Sequence, residues 1–90
     1  MKTQPNLTSI IILNYNGTNF LKECIDSIIH ETHSPYEIIV VDNNSPDKSG
    51  EYFLKQYPEI KFILNEHNVG VPEGLNIGIR NASGEFIVLL

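Results

Sequence analysis

Cysteine is nearly absent from this chain. Cys24 stands alone, which rules out an internal disulfide and any zinc site built on several thiolates. Its neighbours at helical spacing are apolar, so it reads as a small buried hydrophobe and not as a nucleophile. Basic residues are also few: six Lys and Arg stand against eleven Asp and Glu, for a net charge of -5. The six are scattered, so the clustered positive charge that grips a phosphate backbone is missing and no nucleic-acid partner is expected. No apolar run approaches the ~20 residues that a membrane-spanning helix needs. The N-terminus, MKTQPNLTS, has one lysine followed by polar residues and no apolar h-region, which points to the cytoplasm. Without a secretory signal the Asn-x-Ser/Thr triplets at Asn6, Asn16, Asn43 and Asn81 carry no glycosylation reading. Glycine-rich phosphate loops are missing as well. The turn after the first apolar run, NYNGTNF, holds Gly17 alone, and no GxxxxGK[ST] occurs, which argues against a dinucleotide-binding domain and a P-loop.

What is present is ordinary globular composition, 41% hydrophobic and 19% charged over 90 residues. That is room for one small domain, which buries about 60–65% of its unfolded surface and is marginal alone. Thr8 to Leu13 is an Ile-rich run that reads as a buried strand, stopped by the turn-forming cluster Asn14-Tyr15-Asn16-Gly17. Phe20, Leu21, Cys24, Ile25, Ile28 and Ile29 then form a helical stripe, with Thr18 or Asn19 placed to cap it. Pro35 marks the boundary before a second strand, Glu37 to Val41. Ser45-Pro46 reads as N-cap and first helical position of a helix running towards Tyr57, closed by Pro58. Ile60 to Leu64 is a third strand. The turn-rich segment Asn65 to Gly74 leads into a helix with Leu75, Ile79 and Ala82 on one face, ended by Ser83-Gly84. Phe86 to Leu90 is a fourth, almost wholly apolar strand.

This alternation predicts an α/β fold: a Rossmann-like parallel sheet of about four strands with helices on both faces. Right-handed crossovers bring the loops after each strand to one edge, where open α/β sheets bind their ligands. Three of those loops are strongly polar. Asn14, Tyr15 and Asn16 follow the first strand, Asp42, Asn43 and Asn44 the second, and Asn65, Glu66, His67 and Asn68 the third. A carboxylate, a phenol and several amides that both donate and accept suit the edges of a neutral base and the hydroxyls of a ribose. For an isolated Asn the common role is an Asx-turn or a cap; Asp42, directly ending a buried strand, favours a ligand role. His30 and His33 fit a helix C-terminus, where the dipole favours a cation, and His67 fits the surface.

Three blocks in order, SIIILNYNG before an amphipathic helix, then EIIVVDNNSPDKS, then NEHNVGVPEGLNIGIRNASGEFIVLL, resemble the N-terminal half of an inverting family 2 glycosyltransferase of GT-A fold. The likeness runs from about Thr8 to Leu90. It implies that Leu13, Asn14 and Tyr15 line the base and ribose of a nucleotide-sugar donor and that Asp42 anchors the nucleoside. It places Asn43 where many members carry a second aspartate. Asn68-Val69-Gly70 is similar to the family's N-x-G turn over the nucleotide, and Asn76 with Gly78 to the N-x-G of the next helix. Leu75 stands where an arginine often precedes that helix asparagine. The VDNNS form is similar to relatives acting on deoxysugar donors.

The resemblance further implies a UDP- or dTDP-sugar donor, a glycan or lipid-linked acceptor in polysaccharide or glycolipid assembly, and a divalent metal, Mg or Mn. In the family the metal ligands of a D-x-D-like motif and the general-base carboxylate follow the strand matching Phe86 to Leu90. Residues 1–90 are therefore expected to be a nucleotide-binding part truncated before that motif, without catalytic or metal-ligating residues of its own and inactive alone. The parent enzyme is expected in the cytoplasm or peripherally at the inner membrane face. The bare apolar fourth strand predicts self-association of the fragment. The alternative is a non-catalytic nucleotide-binding or regulatory module; an NAD-binding domain ranks third.

Overall fold

The computed structural model describes residues 3–90. Four strands and three helices alternate: β1 (Gln4–Asn14), α1 (Leu21–Glu31), β2 (Tyr36–Asp42), α2 (Ser49–Gln56), β3 (Lys61–Leu64), α3 (Val71–Arg80) and β4 (Gly84–Leu89). All strand pairs are parallel, in the order β3-β2-β1-β4. The expected α/β sheet is thus observed, and its strand order reverses direction between β1 and β4.

Branched side chains build the centre. Ile38, Ile39, Val40 and Val41 of β2 are all buried, as are Ile10, Ile11 and Ile12 of β1. Alternation sends them to two faces. On one face Ile12, Ile38 and Val40 pack with Leu21 and Ile25 of α1 and Phe53 of α2; on the other Ile11, Ile39 and Val41 pack with Leu75 and Ile77 of α3 and with Ala82. Each such side chain taken fully from water contributes about 1.5–3 kcal/mol. Tyr57 donates to Asp26 Oδ1 (2.6 Å), tying the end of α2 to α1.

Several boundaries depart from the sequence expectation. α1 is not capped by Thr18 or Asn19: no side chain caps it, and the amides of Phe20 and Leu21 both donate to Gly17 O. Phe20, expected in the buried stripe, is 71% exposed. α2 starts at Ser49 and not at Pro46, because the Ser45 amide and hydroxyl are both taken by Asp42. A turn through Lys48, in the left-handed region at φ 62°, enters the helix instead. α3 starts at Val71, ahead of the expected turn's end at Gly74, with Pro72 in its first turn. Its sheet-facing side is marked by Gly74 and Gly78, whereas Ile79 is exposed. A Cβ on Gly78 would lie 2.4 Å from Ile11 Cγ2, and one on Gly74 2.6 Å from Leu13 Cδ1, so these glycines let α3 lie directly on the sheet.

β4 contrasts with β2. It pairs only with β1 in this sheet, and Phe86 to Leu90 are each 42–58% exposed.

Candidate functional site

Parallel register sets Asn14 beside Asp42 at the carboxyl edge. The ladder continues past the strands, with Asn43 N–H donating to Asn14 O (2.9 Å) and Asn65 N–H to Asp42 O (2.9 Å). Three loops are thereby brought to one place, and polar side chains then lock them together.

The first lock centres on Asp42, which is buried with Asn14, Ser45 and Ser49. Asn14 Nδ2 donates to Asp42 Oδ1 (2.8 Å) and to Ser49 Oγ (2.9 Å), and Ser45 Oγ donates to Asp42 Oδ1 (2.6 Å). Ser45 N–H donates to Asp42 Oδ2 (3.1 Å). Ser45 Oγ in turn accepts from Asn16 N–H (3.0 Å), and Ser49 Oγ from Gly17 N–H (3.3 Å). Gly50 makes room for this: a Cβ there would stand 2.4 Å from Asp42 Cγ. Oδ1 already takes two donors and Oδ2 one, so the carboxylate keeps acceptor capacity on Oδ2.

The second lock is the Asn43 side chain, 3% exposed. Its Oδ1 accepts from Val69 N–H (3.1 Å) and Asn65 Nδ2 (3.0 Å), and its Nδ2 donates to Gly70 O (3.1 Å). The third lies at the rim. Asp47 N–H donates to Asn16 Oδ1 (3.1 Å), while its carboxylate accepts from Thr18 N–H and Oγ1 and from Ser49 N–H. Burial pushes the Asp47 carboxyl up, but those hydrogen bonds from Thr18 and Ser49 outweigh it and hold it at about 2. No buried side-chain polar atom among the described residues is without a partner.

Beside these locks, between β1, α1 and the end of β4, lies a cavity of about 230 Å³ lined in part by Leu13, Asn14, Tyr15, Phe20 and Leu90. It sits at the switch point between β1 and β4, where open α/β sheets take ligands. Tyr15 is 51% exposed there. Asn68 is exposed, its Oδ1 accepting from Gly70 N–H (2.8 Å), and Gly70 adopts φ 86°. The edge therefore gathers Leu13, Asn14, Tyr15, Asp42, Asn43, Asn68 and Gly70. Asn76 is set apart, exposed on α3 two residues from each of the buried glycines. Sequence reasoning reads Ser45 as a helix cap and Asn65 as one of the third loop's polar residues, and it passes over Ser49.

Among the described residues no group of three or more His, Cys, Asp or Glu is arranged to hold a metal ion. No helix among them is long and apolar enough to cross a membrane.

A parallel sheet of order 3-2-1-4, with polar loops locked together at its carboxyl edge and a cavity at the switch point, defines a Rossmann-like α/β protein. Its architecture is that of the GT-A fold. The chain superposes over its full length on S. aureus TarS 1-349 in complex with UDP-GlcNAc, with a TM-score of 0.81 and 27% identity, covering 26% of that chain. The mannosyltransferase PcManGT from Pyrobaculum calidifontis, in complex with GDP-Man and Mn2+, gives 0.74 and 26% identity, over 94% of this chain and 27% of that one. Residues 9–90 match the model of glycosyl transferase family 2, and the chain belongs to that family. Similar curated proteins include an uncharacterized glycosyltransferase of Rickettsia typhi, 42% identical over 84 residues, 93% of this chain and 26% of that protein. Glycosyltransferase GlyG of Streptococcus pneumoniae is 34% identical over 87 residues, 93% of this chain and 29% of that protein. The chain thus spans about a quarter of the length of these two relatives and 12–14% of some others.

Proposed function

We propose that this chain is the nucleotide-binding part of an inverting glycosyltransferase, which moves a sugar from a UDP- or dTDP-sugar to a hydroxyl of a glycan or lipid-linked acceptor in polysaccharide or glycolipid assembly. The observation that carries this reading is the lock of Asn14, Asp42, Ser45 and Ser49 beside a cavity at the β1/β4 switch point. Two structural neighbours hold nucleotide-sugars, UDP-GlcNAc in one and GDP-Man in the other.

In this reading Leu13, Asn14 and Tyr15 line the base and ribose, with the exposed Tyr15 ring available to stack on a base face. Asp42 anchors the nucleoside through the free acceptor capacity of Oδ2, oriented by Asn14 and Ser45. Asn43, Asn68, Gly70 and Asn76 belong to the β3–α3 side of the same site. Among the described residues no group of three or more His, Cys, Asp or Glu fits a metal centre. Mn2+ accompanies GDP-Man in the Pyrobaculum neighbour, and a divalent ion, Mg or Mn, in the parent enzyme would take its ligands from outside residues 1–90, as would the general base. The 90 residues alone would bind without turning over, and a soluble parent would act in the cytoplasm or at the inner membrane face. The exposed apolar β4 favours self-association of the isolated chain.

Isothermal titration of the chain with UDP and with dTDP, against NAD as control, tests the reading. Binding of either nucleotide without a response to NAD is the expected result. Tight NAD binding with no response to UDP or dTDP would overturn it. Light scattering that shows a stable monomer at high concentration would count against self-association.

A further inference from the structure

We propose that Asn43 is a positioning residue: its amide holds the 65–70 loop at the sheet edge through bonds of both polarities and takes no part in reading the base. This deepens the nucleotide-binding reading and rests on it.

The orientation of the amide is fixed by its partners. Val69 N–H can only donate and Gly70 O can only accept, so Oδ1 must face the former and Nδ2 the latter. Asn65 Nδ2 fills the second lone pair of Oδ1. Both acceptor positions are thus taken by the loop, and at 3% exposure the remaining N–H is enclosed. α3 closes the space above, since a Cβ on Gly74 would come within 3.3 Å of Asn43 Nδ2. A base could not reach this amide without breaking the loop's attachment.

A carboxylate of the same shape keeps the two accepted bonds and loses the donated one, leaving Gly70 O opposed by a like partial charge. Asn at this position is therefore specific: aspartate, isosteric with it, cannot hold the loop in the same way unless protonated. The loop carries exposed Asn68 and the φ 86° turn at Gly70, so loosening it weakens binding of any nucleotide that the loop covers.

The test compares wild type with Asn43→Asp and Asn43→Ala. Amide hydrogen exchange without nucleotide should speed up at Val69 in Asn43→Ala, where its acceptor is gone, and at Gly70 in both variants, where the bond to Gly70 O is lost, while the centre of β2 stays protected. UDP affinity should fall about tenfold in Asn43→Asp at pH 8, the size expected for one unmade buried hydrogen bond, and dTDP affinity should fall by the same factor. Lowering the pH to 5 should restore part of the loss in Asn43→Asp relative to wild type, because a protonated carboxyl can again donate to Gly70 O, and should restore none in Asn43→Ala. Asp42, Glu66, His67 and Glu73 lie on the elements packed around the position, and the Asn43→Ala ratio removes their own titration from the comparison. Unchanged exchange at Val69 and Gly70 would overturn the proposal, as would a change in the UDP to dTDP preference. If wild type binds neither nucleotide, the nucleotide reading fails, and the exchange data still decide whether Asn43 holds the loop.

Discussion

Strand β2 carries a carboxylate near each end, Glu37 at the amino edge of the sheet and Asp42 at the carboxyl edge, and each is met by a serine hydroxyl. Glu37 Oε2 accepts from Ser9 Oγ (2.5 Å) and from Ser83 N–H (2.6 Å), and Ser9 Oγ accepts from Gly84 N–H (2.8 Å). It joins β1 to the turn between α3 and β4. Asp42 joins β1 to the segment entering α2 through Asn14 and Ser45. The chemistry is alike and the surroundings differ. At the amino edge the carboxylate fastens a turn of three residues, 81–83, directly between helix and strand. At the carboxyl edge longer loops meet, and Tyr15 and Asn68 on them are exposed. A carboxylate that fastens a strand to a turn is therefore no sign of a site by itself; exposed polar groups on the loops beside it are.

The largest expected contrast comes from neutralising each carboxylate. In Asp42→Asn the new amide must turn its NH2 towards the Ser45 amide or towards Asn14 and Ser45 Oγ, so one buried bond is replaced by opposed donors at a cost of about 1.5–3 kcal/mol. Nucleotide binding should be lost with it. In Glu37→Gln the amide oxygen can still accept from Ser9 and Ser83, so the loss should be about 1 kcal/mol, with nucleotide binding intact. Urea unfolding and UDP titration on the pair would show it, and equal losses of both properties would erase the contrast.

Next in size are the glycines packed on each lock. A Cβ on Gly50 would stand 2.4 Å from Asp42 Cγ, and one on Gly84 2.6 Å from Ser9 Oγ and 2.7 Å from Leu7 O. Gly50→Ala and Gly84→Ala should each cost about 1–3 kcal/mol by overpacking. Only Gly50→Ala should also weaken UDP binding, because it displaces Asp42. A loss of affinity in Gly84→Ala beyond its fraction unfolded would contradict this.

The smallest effect belongs to the rim. Asp47 is held at about 2 against a usual 3.8, so its folded-state pKa is depressed. Its contribution is present above pH 3.8 and is lost as pH falls through about 2. Asp47→Asn should lower stability slightly at neutral pH, and the difference from wild type should shrink over that interval and vanish below it. Acid unfolding followed by circular dichroism reads this directly; a difference that grows on acidification has the wrong sign.

How much of this was legible depends on how local the cause is. β2 could be read from Ile38 to Val41 because branched side chains buried on both faces leave an uninterrupted apolar run. Asp42 could be singled out because it ends that run. Glu37 could not, since at the opposite end of the same strand nothing in sequence distinguishes it from a solvent-facing residue. Ser45-Pro46 carries the local grammar of a helix start, yet Asp42 takes both polar groups of Ser45 and the helix waits for Ser49. Gly74 reads in sequence as the end of a turn and Gly78 as part of an N-x-G motif, and they are where α3 touches the sheet, because only the absence of a Cβ permits the approach to Leu13 and Ile11.

Local pattern is enough to set the element order, the parallel sheet and the edge at which polar loops collect, because periodicity, burial and crossover handedness are properties of short segments. The tertiary structure decided which of the collected groups are spent on one another and which face outward. Asn14 meets Asp42 and Ser49, and Asn43 meets the 65–70 loop, only through strand register and loop closure, and these hydrogen bonds join residues 22 to 35 positions apart. Such pairings depend on geometry between segments, which no local pattern encodes.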